Sequence, residues 1–222
     1  WFDQSNVDLT KHVQNADNNT IARAWTNIFQ EIGTANAVLE SLQASPNKDK
    51  LKALIAETRA LRAYGYFFAM DNWGNVPLVT VARIDPKDLP KTTPRADVYK
   101  FIETEMLAAI ADLPSVKDVN RTAYYPRFTK EAVYTALAYM YLNAQVYTGT
   151  AQWQKTVDMC NSVINTGAYS LTPKVIDNFT STSQAASTEI ISAFTKDATQ
   201  NAGNNQFILY TQNGLDQLKY NL

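Results

Sequence analysis

Few residues of this 222-residue chain have the types and spacing that catalysis requires. A Cys/His pair would have to bring His12, the single histidine, to Cys160, the single cysteine, and no serine stands in a GxSxG turn. Acid pairs such as Glu103 and Glu105 could serve a glycosidase if they flanked one bond, but arginine partners or solvent are the commoner surroundings of such carboxylates. The sequence also lacks HExxH, clustered Cys/His, DxDxDG and phosphate-binding glycine motifs. We therefore predict no catalytic residue, no metal site and no cofactor.

The chemistry that remains is non-covalent binding by rings and amides. The chain has 12 tyrosines, 9 phenylalanines and 4 tryptophans. Sugars are bound by aromatic rings that cover their C–H faces and by amide, carboxylate and guanidinium groups that hydrogen-bond the hydroxyls. Such groups are densest at the amino terminus, and a tyrosine pair follows in a later loop. If the ligand is a sugar, six residues are candidate contacts: Trp1, Phe2, Asp3, Asn18, Tyr124 and Tyr125. For Trp1 and Asp3, a place in the core is an equally open alternative.

The stretch 52–80 predicts the helix around which the chain is organised. Its apolar side chains recur every three or four residues, which is the period of a helix that packs on other helices. Arg59 and Arg62 lie one turn apart on this helix, and we predict that Arg62 is buried and paired with a carboxylate, because an unpaired buried guanidinium is costly. Three glutamates are candidate partners: Glu57, Glu103 and Glu105.

A fixed corner is predicted where this helix ends. Gly74 tolerates the left-handed backbone of a helix cap, and Pro77 holds Val76 in an extended conformation. Trp73 stands in the corner, and we expect its ring to belong to the core, as we do for Trp25 and Trp153, which lie on periodic helical faces. Cys160 is likewise expected to be a small buried hydrophobe.

The composition predicts an all-α protein, because 7 glycines and 8 prolines are too few for a sandwich of short strands. Further helices are predicted at 20–43, 94–113, 129–147 and 151–165. Asn18 or Asn19 can cap the helix at 20–43, and Thr129 can cap the helix at 129–147. They form helical hairpins of tetratricopeptide-repeat type with long loops, although the 34-residue period is not clean. Within a single domain, 1–222, we predict a loop with at most one helical turn at 1–19, a helical-repeat core at 20–171 and an irregular segment at 172–222. Inside the last segment, residues 189–194 are expected to form a short buried strand or helix.

Charge and hydropathy exclude some classes of partner. A formal net charge of −1 gives no reason to expect binding to nucleic acid or to an anionic lipid surface. No stretch approaches the roughly 20 apolar residues of a membrane span, and no signal segment stands at the amino terminus. The sequence starts at Trp1, so we expect it to be a fragment of a longer protein.

Three ordered stretches resemble a known family. They are AETRALRAYGYF followed by NWGNVPLV, then FTKEAV with LAYMYL, and finally VINTGAYSL. Together, over about 120 residues, they resemble the SusD/RagB family of lipid-anchored glycan-binding proteins of the Bacteroidetes outer membrane. The signature residues in this chain are Arg59, Arg62, Tyr64, Trp73, Gly74 and Pro77. Trp-Gly-Asn stands here where the family usually has Phe-Gly-Asp or a similar triplet.

The resemblance implies a function without catalysis. It predicts a surface-exposed outer-membrane lipoprotein, whose lipid anchor lies upstream of this chain, that binds oligosaccharide or polysaccharide and delivers it to a SusC-like TonB-dependent transporter. A helical-repeat scaffold that binds a protein partner and no glycan is the alternative, since helical hairpins alone allow it. A helical carbohydrate-active enzyme is the third class that the residues leave open.

Overall fold

The computed structural model describes residues 4–13, 15–179 and 187–194, and these residues are mainly helical. In chain order the helices are α1 Gln4–Thr10, α2 Asn19–Ala44, α3 Lys52–Trp73, α4 Arg95–Asp112, α5 Arg121–Tyr124, α6 Lys130–Leu142, α7 Ala144–Thr148 and α8 Trp153–Ile164. Two strands of two residues each, β1 Val76–Pro77 and β2 Thr92–Thr93, pair antiparallel. The all-α prediction is confirmed.

Helix α3 lies at the centre of the core, which belongs to the compact unit formed by residues 25–193. Four alanines of α3 are almost completely buried and let its neighbours approach closely, and Tyr66 and Met70 fill the space beside them. The alanines are Ala56, Ala60, Ala63 and Ala69. The remaining core is supplied mainly by α4 and α6.

Helices α2 and α3 form the predicted hairpin. Their side chains meet in antiparallel order, since the ring of Trp25 contacts Trp73 and the ring of Phe29 contacts Tyr66. The two helices approach closely at Gly65, where an added Cβ would lie 3.1 Å from Cγ1 of Ile32. This contact gives the glycine of the organising helix a packing role rather than a flexible one.

The segment after α3 is held by side chains of two helices. Tyr66 Oη donates to the carbonyl of Val79 and accepts from its N–H, both at 2.8 Å. Asn36 Nδ2 donates to the carbonyls of Val79 at 3.0 Å and Val81 at 3.2 Å, and Arg62 Nη1 lies 3.5 Å from the carbonyl of Thr80. The extended backbone therefore obtains from side chains the bonds that a neighbouring strand would supply.

Two helical predictions differ from the structure in their boundaries. The segment predicted as a loop at 1–19 contains the seven-residue helix α1, and its hydrogen-bond pattern continues through Lys11 N to Val7 O. The helix predicted at 129–147 is divided at Asn143, whose backbone N–H bonds to the carbonyl of Tyr141 instead of continuing the α pattern. Thr129 stands at the expected cap position, but its side chain makes no capping hydrogen bond.

Predictions for the carboxyl-terminal third are partly wrong. Trp153 is 60 % exposed and Cys160 is exposed, because α8 buries only Val163 well among its residues. Residues 189–194 form neither strand nor helix. The first of them, Glu189, is held by its side chain: its carboxylate accepts hydrogen bonds from the backbone N–H and the hydroxyl of Thr172 and from Asn178 Nδ2. Side-chain hydrogen bonds of this kind compete with regular backbone pairing.

Candidate functional site

The amino-terminal candidates are only partly described by the structure. Trp1, Phe2 and Asp3 lie outside the described residues. Asn18 is 5 % exposed, and its Oδ1 accepts from the backbone N–H groups of Thr20 at 3.0 Å and Ile21 at 3.2 Å. Asn18 therefore caps α2, as the sequence predicted, and this use engages the oxygen that would accept from a sugar hydroxyl.

The second candidate, which we call the tyrosine corner, comprises residues 120–128. Asn120 opens it by capping the short helix α5, with Oδ1 accepting from Ala123 N at 3.1 Å. Tyr124 and Tyr125 follow, both half-buried, and the peptide bond from Tyr125 to Pro126 is cis. Within the described part of the chain, the buried Tyr125 Oη has no hydrogen-bond partner. The corner thus combines two partly accessible rings with an unused polar atom.

An ion pair from the central helix fixes the tyrosine corner. The Glu57 carboxylate accepts from Arg127 Nε at 3.0 Å and Nη2 at 2.5 Å, and from the backbone N–H of Phe128 at 3.0 Å. The Arg127 guanidinium lies 4.8 Å from the centre of the Tyr124 ring. The hydrogen bond to Glu57 raises the pKa of Arg127, and burial raises the pKa of Tyr124. The corner therefore presents a neutral phenol and a permanent cation.

A second arginine joins later segments to the corner. Arg121 Nη2 donates to the carbonyl of Ile190 at 2.8 Å and Nη1 to that of Ala168 at 3.3 Å, while its guanidinium lies 4.7 Å from the Tyr169 ring centre. Burial raises the pKa of Tyr169. Arg121, Arg127 and Tyr169 were missed as site candidates, and the clearest sequence signal was the placement of arginines three residues before Tyr124 and three after it.

The signature residues have structural roles. Arg62 is 8 % exposed and its Nη2 lies 2.5 Å from Glu105 Oε2, so the predicted buried pair is confirmed. Arg59 binds the same carboxylate through Nη2 at 2.7 Å and Nε at 3.2 Å. Of the three candidate partners, only Glu105 pairs with these arginines, because Glu57 binds Arg127 and Glu103 binds Lys155 and Tyr141.

The other signature residues either pack against α3 or form the turn at its carboxyl end. Tyr64 contacts the rings of Phe68 and Phe128 edge-on. Gly74 adopts φ 73° and its N–H bonds to the carbonyl of Met70, which ends the helix as predicted. Trp73 is half-buried against Trp25, and Pro77 lies in β1.

A polar cleft of about 560 Å³ opens between α2, α3 and the segment after Thr80. Its floor is formed by Asn36 and Arg62, whose polar groups already bind the backbone and Glu105. Glu40 and Arg83 stand at its sides with opposite charges. Asn36 and the two Nη groups of Arg62 are engaged within the protein, so this cleft offers a ligand fewer hydrogen bonds than its volume suggests. Among the described residues, the buried Arg62 Nε has no hydrogen-bond partner.

Among the described residues, no group of three or more His, Cys, Asp and Glu side chains is placed to hold a metal ion. No helix in the described ranges has the length and apolarity needed to cross a membrane.

Comparison with known proteins places these features in a family. A SusD-like family model described as "Starch-binding associating with outer membrane" matches residues 1–142. SusD-like protein P2 of Formosa agariphila is 28% identical over 173 residues, which are 75% of this chain and 32% of P2. The starch-binding protein SusD of Bacteroides thetaiotaomicron is 28% identical over 174 residues, 77% of this chain and 30% of SusD.

A solved structure gives the same result. The crystal structure of a SusD-like carbohydrate-binding protein from Bacteroides fragilis superposes with a TM-score of 0.73 at 26% identity, covering 81% of this chain and 34% of that one. The chain thus spans about a third of the length of the relatives it matches. Since the family model covers well over half of its residues, the chain belongs to the SusD-like family.

Proposed function

We propose that this chain is part of a non-enzymatic protein that binds oligosaccharide or polysaccharide at the cell surface. The observation that carries the proposal is the family match over residues 1–142, a range that contains both candidate segments. The names of its relatives, a starch-binding protein and a carbohydrate-binding protein, support the same class of ligand. The chain spans only about a third of those relatives, so the activity is proposed for the whole protein.

The tyrosine corner supplies chemistry that suits a sugar. A half-buried ring such as Tyr124 can cover a C–H face, and the exposed part of Arg127 can donate to hydroxyl oxygens beside it. Glu57 and Arg121 hold the backbone on either side, so little conformational freedom is lost when a ligand binds. The proposed contacts here are Tyr124 and Tyr125.

The amino-terminal segment is proposed as the other contact region, through Trp1, Phe2 and Asp3. Two rings and a carboxylate in succession provide a stacking surface and an acceptor for hydroxyl groups. Asn18 belongs to this proposal as well, and its capping bonds suggest that it positions the start of α2 more than it contacts a ligand.

Location and partner are proposed with the function. The family description places its members in association with the outer membrane, which supports an outer-membrane location for the whole protein. We propose that this protein is a surface-exposed lipoprotein there. A protein that binds glycan there without degrading it needs a route for the ligand. We therefore include delivery to a SusC-like TonB-dependent transporter, and a pull-down of that transporter from outer membranes by the intact protein tests this step.

Calorimetry on the intact protein tests the site. With a glycan that the wild type binds, Trp1→Ala and Tyr124→Ala should each weaken binding by about 1 kcal/mol or more with little change in Tm. Trp153→Ala removes an exposed ring outside both segments and serves as the matched control. Unchanged affinity in both site variants would place the site elsewhere.

Two assays separate the other function classes. Affinity gel electrophoresis against a panel of polysaccharides should retard the intact protein, whereas a scaffold that binds only protein would migrate unchanged in every gel. A reducing-sugar assay should show no release from the same polysaccharides. Release that survives repurification and disappears on replacement of one carboxylate would show that the protein is an enzyme.

A further inference from the structure

The charged groups of the tyrosine corner are arranged with cations outward and acids inward. The Arg127 side chain is 46% exposed, whereas the side chain of its partner Glu57 is 8% exposed. Arg121 is half-buried, and among the described residues its guanidinium binds the carbonyls of Ala168 and Ile190 but no carboxylate. The surface of the corner therefore carries positive charge that the protein neutralises only in part.

Two lysines beside the corner add to this charge. Lys117 is exposed and Lys130 is partly exposed, and neither forms an ion pair within the described ranges. Of the acids nearby in sequence, Glu131 is 1% exposed and accepts from Ser115 Oγ at 2.6 Å. Asp118 is the exposed carboxylate, and it accepts from the backbone N–H of Ser115. Accessible cations thus outnumber accessible acids in this stretch of the chain.

Both arginines keep N–H donors that the protein does not use. A guanidinium has five N–H donors in one plane. Arg127 binds Glu57 through Nε and Nη2, which leaves Nη1 without a partner in the described part of the chain. Arg121 donates from Nη1 and Nη2 to one carbonyl each, so more than half of its donors are left over. Such planar groups of donors match the oxygens of carboxylates and phosphates, and a sulfate ester has the same tetrahedral shape as a phosphate.

Each arginine is also held over a tyrosine ring. The guanidinium of Arg127 lies 4.8 Å from the ring centre of Tyr124, and that of Arg121 lies 4.7 Å from the ring centre of Tyr169. The cations are therefore already placed beside the rings that would cover a sugar, and they lose little conformational freedom when a ligand binds. An acidic sugar unit could place its C–H face on a ring and its anionic group on the neighbouring guanidinium.

We propose that the glycan bound at the tyrosine corner is acidic and carries either carboxylate groups, as uronic acids do, or sulfate esters. The inference rests on the proposed function and adds the charge of the ligand to it. A neutral glycan would leave the charge of Arg121 without a counter-ion, whereas an anionic group supplies one. Hydrogen bonds to a charged acceptor are also roughly twice as strong as those to a neutral one.

Affinity gel electrophoresis of the intact protein tests the charge of the ligand. The acidic probes are polygalacturonate, alginate, chondroitin sulfate and carrageenan, and the neutral probes are amylose, dextran and xyloglucan. At least one acidic probe should retard the protein more than every neutral probe does. Retardation by neutral probes alone would overturn the inference and leave glycan binding in place, whereas no retardation by any probe would overturn the proposed function together with the inference.

Removal of the anionic groups from the bound polysaccharide is the matched control. Carboxylates are converted to methyl esters and sulfate esters are removed, so that the sugar backbone stays the same. Calorimetry should then show binding at least about tenfold weaker, because the ligand loses hydrogen bonds between charged groups. The treatment that weakens binding also distinguishes carboxylate from sulfate. Unchanged affinity after both treatments would overturn the inference.

Variants of Arg121 separate its charge from its bonds within the protein. Arg121→Gln should weaken binding of the acidic polysaccharide by at least about fivefold, whereas Arg121→Lys, which keeps the charge, should retain most of the affinity. Arg83→Gln removes the same charge at the exposed rim of the polar cleft and serves as the control. Equal losses for Arg121→Gln and Arg121→Lys would contradict a role for the charge.

Two further measurements cover a variant that fails to fold and a ligand that is not a sugar. Lys117→Gln changes an exposed side chain and should weaken binding by about two- to threefold. Affinity that no charge variant of this stretch lowers would overturn the inference. Poly-L-glutamate offers carboxylates without sugar rings and should bind at least about tenfold more weakly than the acidic polysaccharide. Equal affinity for the two polymers would also overturn the inference, since it would show a general attraction for anions.

Discussion

Replacing Glu105 by glutamine should destabilise this protein more than replacing Arg59 by glutamine. The Glu105 side chain is 10% exposed and the Arg62 side chain 9%, so neither charge can turn to bulk water when its partner is lost. The Arg59 side chain is 30% exposed and has that option. Glu105→Gln therefore leaves Arg62 as the uncompensated buried charge.

The expected loss is about 3 kcal/mol in the free energy of unfolding at neutral pH. Removing one partner of a buried pair costs about 3–5 kcal/mol. The lower end applies because Arg62 keeps its 2.9 Å bond to Asn36 Oδ1, and the glutamine oxygen can accept one of the lost bonds. Arg59→Gln should cost only about 1 kcal/mol or less, because Glu105 retains Arg62 and the removed side chain is partly solvated.

The pH dependence gives the prediction a second component. Burial alone would raise the pKa of Glu105, but hydrogen bonds and charges of Arg59 and Arg62 outweigh it and hold the pKa below its ordinary value of 4.5. A lowered pKa in the folded state means that the stabilisation is complete above about pH 4.5 and is lost as the pH falls through the folded-state pKa. The difference between wild type and Glu105→Gln should therefore shrink at about pH 3.

Urea unfolding followed by far-UV circular dichroism measures both components. The two proteins are compared at about pH 7 and about pH 3, with Glu31→Gln, at an exposed glutamate of α2, as control for the general loss of one negative charge. A loss for Glu105→Gln below about 1 kcal/mol at neutral pH would show that the pair is solvated. A loss that is the same at both pH values would refute the assignment of the stabilisation to the ionised carboxylate.

Three further changes should alter stability in the same assay. Arg62→Leu should cost about 2 kcal/mol less than Arg62→Ala, because leucine fills the space that alanine leaves empty, and equal losses would contradict a packed site. Gly74→Ala should lower the free energy of unfolding by about 1–3 kcal/mol, because φ is 73° at this position. Gly33→Ala, inside α2, should raise the free energy of unfolding by up to about 1 kcal/mol. A change of the same sign in both variants would exclude a backbone effect. Glu57→Gln should cost about 2 kcal/mol through Arg127 and Phe128, and a neutral result would show that the tyrosine corner is held by other contacts.

The sequence predicted the helices well where the apolar pattern continued over many residues. The helices predicted at 20–43 and 94–113 are observed as Asn19–Ala44 and Arg95–Asp112, and the burial and pairing of Arg62 were correct. The identity of its partner was not predictable, because three glutamates satisfy the charge requirement. Only the relative position of α3 and α4 brings Glu105 to the arginines, and helical period carries no information on that position.

Predictions about which face is covered were less successful. Trp153 and Cys160 lie on a helix with a clear apolar face, but that pattern does not say whether anything packs against it. Tyr124 was predicted as a sugar contact, and stays a prediction, while its arginine neighbours were not identified. Arg121 reaches Ala168 and Ile190 across many residues of sequence, so only the fold reveals that these segments meet.

The side-chain bonds to residues 76–81 also occupy backbone groups through which another chain could pair with this segment. A run of valine, leucine and threonine in extended form favours strand pairing, and its unpaired N–H and C=O groups would act as a template for another chain. Tyr66 occupies both backbone groups of Val79, and Asn36 occupies the carbonyl of Val81. An incoming strand would find the middle of this edge already bonded, so a helical protein can carry a β-prone segment without offering it to its neighbours.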